Sequence, residues 1–180
     1  MQCANLLFKK KFNFSLILSI VVLFSGFSFA QMNSLKQLKK NTKDTNVLIK
    51  SIKSSDPWTA NHLITTDELA KELKSSKSKK PVILQVGFKF LYNTGHIPGA
   101  VYAGPGSKKE GLKSIKNEVK SLKKNQNIVI YCGCCPWGHC PNIRPAYKEL
   151  KSLGFTNVKA LYIPDDFGKN WADAGYPVSK

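Results

Sequence analysis

Ile128-Val129-Ile130-Tyr131-Cys132-Gly133-Cys134-Cys135-Pro136-Trp137-Gly138-His139-Cys140-Pro141 is the stretch on which the reading of this chain turns. Its first four residues are an unbroken apolar run, the pattern of a strand buried on both faces of a parallel sheet. Beyond Pro141, Ala146, Tyr147, Leu150 and Leu153 recur at helical spacing until Gly154 stops them. The stretch therefore reads as strand, loop and helix, with Cys132 on the first turn past the strand. In open parallel sheets, sites form beyond the carboxyl ends of the strands. Inward loop amides and the positive end of the next helix would favour a thiolate there and hold an anionic ligand. An inert buried cysteine is the plain alternative for Cys132, and the strand–loop–helix context weighs against it.

Outward from this loop the same alternation continues. Thr65 or Thr66 caps a helix through Asp67, Leu69, Ala70 and Leu73. The lysine and serine run Lys74 to Lys80 ends it, and Pro81 opens a buried strand over Val82 to Val86. Ala100 to Ala103 is a short strand, and Leu112, Ile115, Val119 and Leu122 mark an amphipathic helix over 108–124. Val158 to Ile163 is a last strand, and Phe167 to Ala174 a terminal helix. Strands separated by helices require crossover connections. The predicted fold class is α/β, a mainly parallel sheet with helices on both faces.

The 180 residues are enough for one ordinary domain. Residues 1–30 read as a cleavable Sec-type signal peptide. Lys9, Lys10 and Lys11 precede the apolar run Phe12 to Phe27, and Ser28-Phe29-Ala30 supplies small residues at a cleavage site before Gln31. The competing reading is an uncleaved membrane anchor. Cleavage predicts a periplasmic or secreted protein. Residues 31–57 form a polar, lysine-rich leader, and 58–180 the folded domain. The net charge is +17, and every basic residue except Arg144 is lysine. Nucleic-acid recognition is not expected, because bidentate base and phosphate contacts favour guanidinium. The leader is either a solvated segment or a contact for an anionic membrane surface or an acidic partner. Four of the five cysteines lie within nine consecutive residues, which indicates one site rather than a spread disulfide framework.

Four motifs in order carry a family resemblance: Ile64-Thr65-Thr66-Asp67-Glu68-Leu69, Gly95-His96-Ile97-Pro98-Gly99-Ala100, the strand Ile128 to Cys132, and Leu153-Gly154-Phe155-Thr156-Asn157-Val158 followed by Trp171 and Ala174-Gly175-Tyr176-Pro177-Val178. Over residues 60–178 the chain resembles the single-domain rhodanese sulfurtransferases. The resemblance implies a rhodanese-like parallel sheet and Cys132 as the nucleophile that takes sulfane sulfur from a donor such as thiosulfate. A cysteine persulfide would then deliver that sulfur to a thiol acceptor, without a required cofactor. The partners implied are a small anionic sulfur donor and a thiol acceptor. Gly133, Cys134, Cys135, Trp137, Gly138, His139 and Arg144 would form the substrate- and anion-binding loop.

The chain also departs from the family pattern. The loop is longer than usual, Asn142 and Ile143 fall where an arginine and a serine are common, and Arg144 is out of register. Gln85 and Gly87 replace the common aspartate and arginine after the second strand, which removes two charges expected near the site. A phosphatase or arsenate reductase of the Cys-x5-Arg type is excluded, because no cysteine stands six residues before Arg144. Cys134, Cys135 and Cys140 are available as redox partners of Cys132 in a thiol–disulfide or persulfide relay. Cys132, Cys134, Cys135, Cys140 and His139 are also enough soft ligands for copper(I) or zinc. His96 is expected to pin a turn, and Trp137 either to wall the pocket or to cover the loop.

Overall fold

Four consecutive apolar residues are buried on both faces only where strands flank them on each side, and Ile128–Tyr131 (β4) occupies such a place. The computed structural model describes residues 29–76 and 79–180. Five strands, Leu63–Thr65 (β1), Val82–Gln85 (β2), Ala100–Tyr102 (β3), β4 and Val158–Tyr162 (β5), form one sheet in the order β1-β5-β4-β2-β3. Every pairing is parallel, with Gln85 opposite Tyr131 and Ile128 opposite Val158. The α-helices among the described residues are Phe29–Ser51 (α1), Thr66–Lys74 (α2), Lys89–Thr94 (α3), Lys109–Val119 (α4) and Ile143–Ser152 (α5).

Successive strand residues point to opposite faces, and the core divides accordingly. Ile128 and Ile130 pack with Leu84, Val158 and Ala160 against Ile115 and Val119 of α4 and Ala146, Tyr147 and Leu150 of α5. Val129 and Tyr131 face the other way, with Ile83 and Leu161, toward Leu69 and Ala70 of α2 and toward Trp171. Helices therefore cover both faces, as the sequence predicts. Leu84 is fully buried, and truncating it to alanine would cost about 2–5 kcal/mol. Thr65 caps α2 by accepting from the Glu68 backbone N–H, while its own N–H donates to the Glu68 carboxylate.

The differences from the sequence reading lie mostly at element ends. The helix expected over 108–124 closes at Val119, and the terminal helix is a single π turn, Gly168–Ala172. Three residues of β1 are too few to show a period, and α3 buries none of its side chains. Neither element is anticipated from the sequence. The chain separates into two units, Met1–Thr42 and Lys43–Lys180. Of the first unit only its part of α1 is described, and residues 29–42 are solvent-exposed. The second unit begins inside the stretch read as leader: Leu48 is buried, and Ile52 packs beside it against the core. The signal-peptide reading of residues 1–30 falls almost wholly outside the described residues. Among those described, no helix is long and apolar enough to cross a membrane.

Candidate active site

Cys132 continues the parity of Ile128 and Ile130, so its side chain lies on the α4 and α5 face of the sheet, buried at 5% exposure. The neighbouring strand end holds it. The Gln85 Nε2 donates to the Cys132 carbonyl at 3.3 Å, and the Gln85 Oε1 accepts from the Gly87 N–H at 3.2 Å. A Cβ on residue 87 would lie 3.0 Å from the Cys132 sulfur and 2.8 Å from the Gln85 amide nitrogen. Positions 85 and 87, at and just past the end of β2, thus hold a neutral amide and a bare backbone that closes on the thiol.

Three sulfurs converge. The Sγ atoms of Cys132, Cys134 and Cys140 all lie within 4.8 Å of one another. Cys132 and Cys134 share a hydrogen bond of 3.2 Å, and Cys134 another of 3.1 Å with Cys135. The fully buried Asn142 donates from Nδ2 to the sulfurs of Cys132 and Cys134, at 3.4 and 3.8 Å. Its Oδ1 accepts from the Ser107 N–H at 3.1 Å, which sets the amide's orientation.

Among these four thiols, Cys140 is the one whose pKa is pulled down. Hydrogen bonds from the Cys132 and then the Cys134 thiol hold its pKa well below the ordinary thiol value, the backbone N–H groups of Asn142 and Ile143 add to the effect, and burial opposes it. Cys132 is drawn down by the Cys134 thiol, but its hydrogen bond to Cys140 and its burial outweigh this and leave it above the ordinary value. Cys134 is raised by its hydrogen bonds to Cys132 and Cys140, and Cys135 chiefly by burial. The first turn of α5 thus serves an internal thiolate. The sequence reading assigned that amide environment to Cys132.

Cys132, Gly133 and Cys134 open on a cleft of about 460 Å³ beyond the strand ends, walled by Leu91, Tyr131, Phe167 and Val178. Asp166 is the one charged side chain among the described residues that line it. Gly133 has φ +68°, and a Cβ there would meet the Phe167 Cβ at 2.7 Å, so only glycine fits this turn. Cys135 and Trp137 lie on the opposite side, around a recess of about 10 Å³ that Cys132 and Cys140 also line.

The remaining loop residues do not gather at the thiols. Arg144 ion-pairs with the buried Asp56 at 2.6 Å, donates to the Trp137 carbonyl at 3.2 Å and lies over the rings of Trp58 and Trp137. Trp137 covers the loop: it is buried between Trp58 and Tyr162, and its Nε1 donates to the Ser51 carbonyl at 3.2 Å. Gly138 is exposed and accepts from Lys53 through its carbonyl, and His139 is exposed and outside the three-sulfur group. The amides of Trp137, His139 and Cys140 are spent on the carbonyls of Pro164, Pro136 and Trp137. The His96 Nδ1 donates to the Tyr92 carbonyl, 2.9 Å away, and its backbone pairs with Ser179, holding the turn.

A sequence model of the rhodanese-like domain matches residues 65–162, over half of the chain. The chain belongs to the rhodanese-like family. That membership supports a sulfurtransferase-type or related role. The solution NMR structure of a rhodanese-like domain from an Anabaena sp. protein matches 66% of this chain and 78% of that one, at 24% identity and a TM-score of 0.51. A rhodanese-like domain protein from Staphylococcus aureus matches 65% of this chain and 97% of its own, at 24% identity and a TM-score of 0.41. At 24% identity the likeness to the Anabaena domain is one of fold. No curated protein matches the chain.

Within this rhodanese-like site, Asn142, Gln85 and Gly87 are the contacts that sequence reasoning leaves out of the candidate set. The available signal was topological. Gln85 and Gly87 end the strand beside β4, and Asn142 stands immediately before α5, where a side chain can turn back toward the loop.

Proposed function

We propose that this chain is an exported sulfurtransferase that carries sulfane sulfur as a persulfide on Cys132. The observation that supports the reading best is a cysteine at the carboxyl end of the central strand that lines a cleft and has two further cysteine sulfurs within 4.8 Å of its own. Interacting thiols titrate as a group. Loss of a proton from this group leaves Cys132 as the nucleophile.

The cleft suits a sulfur donor other than thiosulfate. Its walls are largely apolar and its charged lining residue is acidic, so an organic persulfide is the donor class proposed. The Cys132 thiolate attacks the outer sulfur of R–S–SH. The S–S bond breaks, RS⁻ leaves, and Cys132 becomes Cys–S–SH. An acceptor thiolate then attacks that outer sulfur, forms its own persulfide and returns Cys132 as thiolate. The exchange is ping-pong and needs no external oxidant or reductant. Export rests on the basic and apolar N-terminal run with its small-residue exit.

Intact-mass measurement of the reduced protein after exposure to glutathione persulfide, and separately to thiosulfate, tests this reading. A gain of one sulfur atom mapped to Cys132 and removed by cyanide is expected, with the persulfide the faster donor. The Cys132→Ser chain should lose loading by at least about 10³-fold while keeping its circular dichroism spectrum. Undiminished loading of that variant would overturn the assignment.

A further inference from the structure

We propose that Cys132, Cys134 and Cys140 form a three-sulfur site for one soft monovalent metal ion of the copper(I) class. The sequence offers five soft ligands in the loop, and folding selects among them. Three sulfurs fall within 4.8 Å of one another, whereas His139 is exposed and neither it nor Cys135 belongs to the group. Zinc asks for four ligands in a tetrahedron, and this group supplies three. Copper(I) takes two or three thiolates and prefers soft sulfur, so the donor set matches its needs.

Coordination by the three sulfurs releases to solvent the protons they carry. The Asn142 amide already points two-sidedly at Cys132 and Cys134 and is itself fixed by the Ser107 N–H. It is placed as an outer partner that orients the ligands. Cys132 is shared with the sulfur-transfer reading, but the metal site stands whether or not Cys132 carries sulfur. If both hold, metal and sulfane sulfur exclude each other at this atom.

The test uses the reduced full-length or mature chain under anaerobic conditions, titrated with copper(I) buffered by bicinchoninate. One ion per chain, a near-ultraviolet thiolate-to-metal band and an X-ray absorption spectrum with about three sulfur neighbours and no nitrogen are expected. Cys134→Ser and Cys140→Ser should abolish tight binding, and Asn142→Ala should weaken it by about 10–100-fold. Cys135→Ser and His139→Ala should leave it unchanged. Circular dichroism of each variant separates a lost ligand from a lost fold. Nitrogen in the first coordination sphere, unchanged affinity in a folded Cys140→Ser chain, or zinc(II) competing at equal concentration would overturn the proposal. Sulfur loading of the metal-free protein is measured separately, so failure of one reading does not carry over to the other.

Discussion

The two sides of the loop Gly133 to Pro141 are built from opposite materials. Toward the cleft and the sheet, thiols, a neutral amide and backbone N–H groups arrange the chemistry, and no basic side chain among the described residues takes part. Toward the segment Ser51 to Trp58, the loop is held by an ion pair, three aromatic rings and long-range hydrogen bonds. A cation beside Cys132 would lower its pKa directly. The chain's one arginine is instead turned outward onto Asp56. The comparison teaches that anion stabilisation here comes from fixed dipoles and neighbouring thiols, while charge is used to hold the loop in place.

If the two sides are separable, variants on the outer side should move stability and those on the inner side reactivity. The largest effect is expected from Asp56→Ala. The Asp56 side chain is fully buried and that of Arg144 about four-fifths so, and removing one partner of such a pair costs about 3–5 kcal/mol. Denaturant titration should register that loss. Replacing both, as in Asp56→Ala with Arg144→Met, should recover a good part of it. A single variant of undiminished stability would mean that the strap does not hold the loop.

Cys140→Ser should act on the other side. Its hydrogen bond raises the pKa of Cys132, so removal lowers that pKa. Alkylation of Cys132 at pH 7 should rise by about tenfold for each pK unit. The same group has a signature in stability. The folded pKa of Cys140 lies below its unfolded value, so its contribution is complete above about pH 8.5 and falls away as the pH drops through the acidic range. The wild-type chain should therefore lose stability on acidification faster than Cys140→Ser. Parallel pH profiles would assign the thiolate elsewhere.

Trp137→Phe keeps an aromatic ring against Trp58 and Tyr162 but drops the hydrogen bond to Ser51. A loss of about 1 kcal/mol is expected, with the thiol alkylation profile unchanged. Lys53→Ala is the smallest case. Its bond to the Gly138 carbonyl is 3.4 Å long and exposed, so thermal unfolding should shift by no more than about 0.5 kcal/mol. A larger shift would give the exposed edge of the strap more weight than its geometry suggests.

Much of the scaffold is visible before folding, and for clear reasons. Ile128 to Tyr131 and Val82 to Gln85 are apolar because both their faces are covered, and Thr65 with Glu68 is a capping box in plain sight. The short β1 and the surface helix α3 carry no comparable period. The candidate site is legible only in outline. Cys132 could be located by its place after β4, but Arg144 and Asp56 are 88 residues apart, and Ser107 reaches Asn142 across 35. Nothing local marks such pairs.

Periodicity, turn residues and the clustering of four cysteines in nine residues determine the fold class and place a reactive loop at the end of its central strand. These are properties of neighbouring residues, and a linear sequence records them. Which thiol has its pKa lowered, which three sulfurs meet, and where the arginine points are decided only in the tertiary structure. Each depends on burial and on hydrogen-bond partners contributed by segments far apart in the chain, and those partners acquire positions only when the sheet brings the segments together.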